Sequence, residues 1–258
     1  MTGAAGAPGA LAPRRRLGLA LWLAGMPGVI AVSLATPALL AASPAATAPP
    51  PPGALVAAGI AQGALLLALA VAVGVRLAPR VGWSSPVAEA ACAGRRPDAT
   101  TRAGLLVGLR DGLACGVLLH AVLRLAPDGL ARGADALPLH ARVLYGGVTE
   151  ELLLRWGATT ACAWALHRTL QRGAGPLAPR LARTAIVVGA LLFGIAHLPA
   201  AAAAAGGLDA ALVAWTVGAN AAFGLAFGRL FARHGLESAM IAHGGAHAIA
   251  WVFDAVNG

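Results

Sequence analysis

Two glutamates and an arginine fall within six positions in Gly146-Gly147-Val148-Thr149-Glu150-Glu151-Leu152-Leu153-Leu154-Arg155, a stretch with apolar flanks. The chain has only ten acidic residues, and this is the one place where two are adjacent. An ionisable side chain at mid-depth in a bilayer costs roughly 2.5–3.5 kcal/mol even on insertion scales, so three together demand partners or a task. On a helix Glu151 and Arg155 stand four apart, acid first, which suits an ion pair along one face. Glu150 is turned away from that pair by about 100°. The spacing predicts Glu151–Arg155 as a strut and leaves Glu150 as the reactive carboxylate.

Three of the seven histidines sit in later apolar stretches. His197 ends the run Leu191-Leu192-Phe193-Gly194-Ile195-Ala196-His197, and His243 and His247 are four apart in His-Gly-Gly-Ala-His, on one face of a helix. Asn220 lies in a further apolar stretch. One such residue alone reads as a satisfied interhelical hydrogen bond. A glutamate, three histidines and an asparagine in successive spans must find one another or face a water-filled cavity. A carboxylate beside an imidazole can hold and deprotonate a water, and N–H donors can stabilise an oxyanion. The same residues suit a divalent metal such as zinc.

The elements that must position them are membrane helices. Of the 258 residues 59% are hydrophobic and 11% charged, and the mean hydropathy is +0.75. That composition excludes an ordinary soluble domain and predicts an all-α membrane protein, a polytopic bundle of about seven transmembrane helices. All 19 basic residues are arginine, which together with the Ala/Gly/Pro excess suggests a bacterial source and an inner-membrane location. The arginines cluster between apolar runs, a topology pattern and not a nucleic-acid footprint. Cys92, Cys115 and Cys162 have no metal-like spacing and imply no disulfide framework.

Residues 1–13 read as a disordered tail and 14–139 as three spans without a catalytic motif. The first span begins after Arg14-Arg15-Arg16 and is retained, being longer than a signal-peptide core. The third contains Arg110 and Asp111, read as a structural pair or a pair near an interface in preference to a second functional pair. The stretch 126–142, with Asp128, Arg132, Asp135 and Arg142, suggests a short interfacial helix. Residues 140–258 carry four spans and every candidate site residue. Arginine clusters before span one and after spans two, four and six predict a cytoplasmic N-terminus. Gly104…Gly108, Gly112…Gly116 and Gly224…Gly228 hint at close helix packing.

Taken in chain order, Glu150-Glu151…Arg155, Phe193…His197 and His243…His247 resemble the CPBP intramembrane protease family. Its eukaryotic members are type II CAAX prenyl endopeptidases, and its bacterial members include bacteriocin-processing and self-immunity proteins. The flanks Gly147-Val148-Thr149, Leu192-Phe193-Gly194-Ile195-Ala196-His197-Leu198-Pro199 and Asn220-Ala221-Ala222-Phe223-Gly224 are similar as well. The resemblance implies Glu150 as general base acting with His197 on the attacking water. Glu151, Arg155 and Asn220 would shape the site, and His243 and His247 would stabilise the oxyanion or complete a metal site. Members most often carry Asn where this chain has His247.

The expected activity is hydrolysis of peptide bonds in membrane-associated or C-terminal peptide substrates, with the lipid bilayer as partner and no nucleic acid. The alternatives are a non-catalytic membrane protein that binds a partner or confers immunity, and a small transporter. Against the transporter, the chain halves show no internal repeat. Metal-free chemistry is the preferred expectation, because Arg155 beside the acids disfavours a dication. Glu150, His197, His243 and His247 remain a possible zinc set, but all four together would leave no position for water.

Overall fold

The structure, a computed structural model, describes residues 8–43, 50–127 and 137–257. Helix starts and stops follow the residues expected to set them. Pro52, Pro86 and Pro179 open α2 (Pro52–Leu77), α3 (Pro86–Cys92) and α6 (Pro179–Ala196), in the first turn, where a missing N–H leaves no bond unmade. Asp98 caps α4 (Ala99–Arg124) by accepting the Thr101 N–H at 2.7 Å, and Asp209 caps α8 (Ala210–His234) through the Leu212 N–H at 2.7 Å. The bond from Thr101 holds the Asp98 carboxyl below the usual carboxylate range. The first helix, α1 (Pro8–Ala41), runs through Pro13, Pro27 and Pro37. The helix assignment begins at Pro8, and residues 1–7 of the expected tail lie outside the described residues. The interfacial helix expected around Asp128, Arg132 and Asp135 also lies outside them.

Helix α5 occupies residues 139–170. It starts as Leu139–Ala141, widens over Arg142–Thr159, and returns to ordinary α-helix over Thr160–Leu170. In the wide part the backbone bonds in π fashion; at its end the Thr160 N–H reaches back five residues to the Arg155 carbonyl. Such winding is uncommon and concentrates at functional sites. Helix α7 (Leu198–Ala205) continues α6 after a break at His197, and α9 (Leu236–Asn257) closes the chain. The break follows from Pro199, which has no N–H to offer the preceding turn.

Among the described residues five helical stretches are long and apolar enough to cross a membrane: Pro13–Ala41, Pro52–Val81, Ala99–Arg124, Pro179–Ala205 and Ala210–His234. Seven were expected. The two that do not reach that apolarity, α5 and α9, are those carrying the glutamates, Arg155, His243 and His247. Chemistry has diluted their hydropathy, and they are sheltered instead by neighbours. Helix α5 packs against α1, α2, α6, α8 and α9, and α9 lies between α5 and α4.

The small-residue patterns are contact seams. Gly104, Gly108, Gly112 and Gly116 form one buried stripe of α4 against α9; a Cβ on Gly112 would stand 3.1 Å from the Ala242 Cα. A Cβ on Gly224 would stand 2.9 Å from the Ala190 Cα, so α8 and α6 approach equally closely. The three N-terminal spans, though without a motif, belong to the same bundle. Thr149 Oγ donates to the Gly25 carbonyl of α1 at 2.7 Å, one residue before the glutamates. The opposite face of α4 carries Arg110 and Asp111, joined to each other at 2.7 Å on the exposed surface among Leu106, Leu109 and Leu113.

Candidate active site

The carboxylate motif lies on the wide part of α5, where the turn holds more residues than the 3.6 of an α-helix. Glu151 and Arg155 are buried, with side chains 0% and 2% exposed, and their charged atoms meet at 3.2 Å. The expected strut is present. It is not closed on itself: Glu151 Oε1 also lies 2.8 Å from His243 Nδ1, Glu151 Oε2 has no hydrogen-bond partner among the described residues, and the contact through Arg155 Nη1 is ionic without hydrogen-bond geometry. The guanidinium lies over the Phe193 ring, 4.5 Å from its centroid, with Phe227 at 5.6 Å, and Arg155 Nη2 reaches the Gly224 carbonyl at 3.5 Å. Cation–π contact of this kind strengthens when both groups are desolvated.

Glu150 points elsewhere, as its rotation along the helix requires. Its Oε1 stands 3.9 Å from His197 Nε2 and its Oε2 stands 3.9 Å from His243 Nε2. Both separations exceed a direct hydrogen bond and suit a bridging water. The side chain of Glu150 is 15% exposed and that of His197 31%, so this part of the cluster is reached from outside the protein.

The two histidines are oriented by their other ring nitrogens. His197 Nδ1 lies 2.8 Å from the Phe193 carbonyl, an acceptor only, so Nδ1 carries the proton and Nε2 keeps its lone pair. His243 Nδ1 faces the carboxylate of Glu151 and is protonated by the same reasoning when that carboxylate is ionised. In their neutral forms both rings therefore turn unprotonated Nε2 atoms toward Glu150. The His243 ring stacks on Phe227 at 4.6 Å and on His247 at 5.0 Å.

His247 joins the cluster through that stack and makes no hydrogen bond to another described residue. Gly146 makes the space: a Cβ there would stand 2.8 Å from His247 Nε2 and 3.3 Å from His243 Nε2. Gly147 lets α5 and α9 touch, since its Cβ would stand 2.7 Å from the Gly244 Cα. Asn220 is not part of this assembly. Its amide donates to the Thr216 carbonyl of its own helix at 2.8 Å and makes no bond to the glutamates or histidines.

Among the described residues no group of three histidine, cysteine or acidic side chains stands in metal-ligand geometry. Phe193 and Phe227 were not anticipated as site residues. Phe193 was visible four residues before His197, but its role as a platform for Arg155 depends on α6 meeting α5 in space.

Residues 133–249 match a family model described as type II CAAX prenyl endopeptidase Rce1-like. No curated protein and no solved structure matches the chain. The matched stretch, a little under half of the chain, contains all three motifs and every residue of the cluster, and over it the chain is similar to the Rce1-like type II CAAX prenyl endopeptidases, a family of proteases.

Proposed function

We propose that the protein is an intramembrane endopeptidase in which Glu150 is the general base. The observation that carries this reading is the pair of 3.9 Å separations from the two Glu150 oxygens to the Nε2 atoms of His197 and His243. A water held there donates one O–H to Glu150 and the other to the lone pair of His197 Nε2. Glu150 takes its proton as the water oxygen attacks the scissile carbonyl carbon. It then delivers that proton to the amide nitrogen as the C–N bond breaks, leaving a carboxylic acid and an amine. Substrates are peptides near the membrane-embedded or C-terminal end of another protein.

The roles of the two histidines on α9 separate. A neutral His243 with Nδ1–H committed to Glu151 has no N–H left for an oxyanion, and its ring forms the wall of the site beside Glu150. His247, whose ring is uncommitted, supplies the N–H to the oxyanion. This departs from the joint oxyanion role that resemblance implied for the pair.

The test compares new protein termini in membrane and secreted fractions of a wild-type strain and a Glu150→Ala strain. Specific cleavage products should disappear while the protein itself is still made and inserted. General-base catalysis contributes typically 10²–10⁴-fold, so a loss of about that size is expected. An unchanged set of termini returns the chain to the partner-binding or immunity reading. His247→Asn addresses the metal question, because an amide donates as an imidazole N–H does. Activity should persist within a few-fold; activity lost and then regained with added zinc would make His247 a ligand and the metal-free scheme wrong.

A further inference from the structure

Away from the cluster, the start of α1 and the end of α3 enclose a cleft of ≈390 Å³ lined by Arg14, Arg16, Leu17, Glu89 and Cys92, with Pro13 and Ala93 at its edge. Its two guanidinium groups are exposed, and neither Arg14 nor Arg16 has a hydrogen-bond or ion-pair partner among the described residues. The one acid in the wall is engaged, since Glu89 accepts the Ser85 N–H at 3.0 Å. Arg95 and Arg96 follow two residues beyond Ala93 and are exposed as well. The cleft therefore presents unneutralised planar donors, a geometry that matches phosphate oxygens in bidentate fashion.

The surroundings are those of a lipid and not of a soluble anion. Leu17 begins the apolar run of the first span. Leu19 and Leu23 stand three and seven residues after Arg16, so Arg16, Leu19 and Leu23 share one face of α1. Leu19 is 58% exposed and Leu23 54%, so uncovered apolar side chains stand on the Arg16 side of α1 beyond the cleft. A cleft of this size holds a phosphate with its glycerol, and those side chains accommodate an acyl chain. Basic pockets between helices at a membrane boundary bind anionic headgroups in this manner.

We infer that this cleft is a binding site for one anionic phospholipid, with its phosphodiester on Arg14 and Arg16 and one chain along Leu19 and Leu23. Cys92 in the wall is the reporter. The full-length protein, stripped of lipid in mild detergent, is alkylated with N-ethylmaleimide in the presence of phosphatidylglycerol, phosphatidylcholine or inorganic phosphate. Labelling is followed peptide by peptide, with Cys115 and Cys162 as internal references. Phosphatidylglycerol should slow labelling of Cys92 alone. The double variant Arg14→Gln/Arg16→Gln should need roughly thirtyfold more lipid for the same protection.

Native mass spectrometry gives a second readout, expecting one phosphatidylglycerol retained per wild-type chain and its loss from the double variant. Equal protection by phosphatidylcholine would overturn the inference, as would protection that the double variant keeps. Protection by inorganic phosphate alone would make the cleft an anion site and refute the lipid. If Cys92 is unreactive without lipid, an equal number of retained lipids in wild type and double variant refutes it.

Discussion

Among the described residues, two arginine–carboxylate pairs on membrane helices are built in opposite ways. Arg110 and Asp111 are neighbours in sequence on the outer face of α4; their side chains are 74% and 32% exposed and bond only to each other. Glu151 and Arg155 are buried at the centre of the bundle, and each also touches something else: His243 for the glutamate, Phe193, Phe227 and the Gly224 carbonyl for the arginine. A pair that bonds only internally neutralises two charges and transmits nothing. A buried pair with unmade valences holds its neighbours in place. The energetic value of a buried pair over an apolar replacement is commonly small, but breaking one by removing a single partner is costly. We therefore read Glu151–Arg155 as the device that orients His243 toward Glu150.

The sharpest way to break this comparison is to remove one partner from each pair. Arg155→Leu strands the Glu151 carboxylate at the centre of the bundle and should cost about 3–5 kcal/mol of stability, read as a large fall in thermal midpoint in detergent. If Arg155→Leu leaves the midpoint unchanged, the buried pair is not a strut.

Gly147→Ala tests the seam that brings the pair to His243. Its new Cβ would meet backbone, the Gly244 Cα, and not a movable side chain. Overpacking of this kind costs typically 1–3 kcal/mol, and activity should fall as α9 is pushed from α5. Unaltered activity and stability together would mean that the two helices can part without consequence.

Asp111→Ala should change stability by no more than about 1 kcal/mol, the usual range for an exposed pair. A loss as large as that of Arg155→Leu would erase the distinction between the two sites.

The smallest effect concerns an exposed carboxylate that caps a helix. The Thr101 N–H lowers the Asp98 pKa in the folded protein from 3.8. Its contribution is therefore complete above that unfolded value and is lost as pH falls through the lower folded one. Amide exchange at Thr101, corrected for its intrinsic pH dependence, should gain relative rate only below about pH 4. Fraying of the first turn of α4 at neutral pH would show that the cap contributes nothing.

Much of the site was legible because its signals are local. The four-residue step from Glu151 to Arg155 and the step from His243 to His247 act through backbone geometry that a few neighbouring residues decide. The glycine pairs were legible only as hints, since 34 glycines make such patterns common. Asn220 shows the limit in the other direction. A polar residue in an apolar span must satisfy itself, but it can do so on its own helix, and the Thr216 carbonyl four residues back was always within reach.

The sequence by itself determined the membrane class, the separation of Glu150 from the Glu151–Arg155 pair and the identity of the polar residues that had to be sheltered. Those follow from hydropathy and helical rotation, both short-range properties of the chain. The tertiary structure decided which ring nitrogen of His243 faces which glutamate, that Phe193 and Phe227 line the guanidinium, and that α1 and α4 brace a site to which they contribute no motif. Such facts depend on where helices distant in sequence cross, and crossings are set by the close approach of small residues such as Gly146, Gly147 and Gly244. No window along the chain contains both sides of that contact.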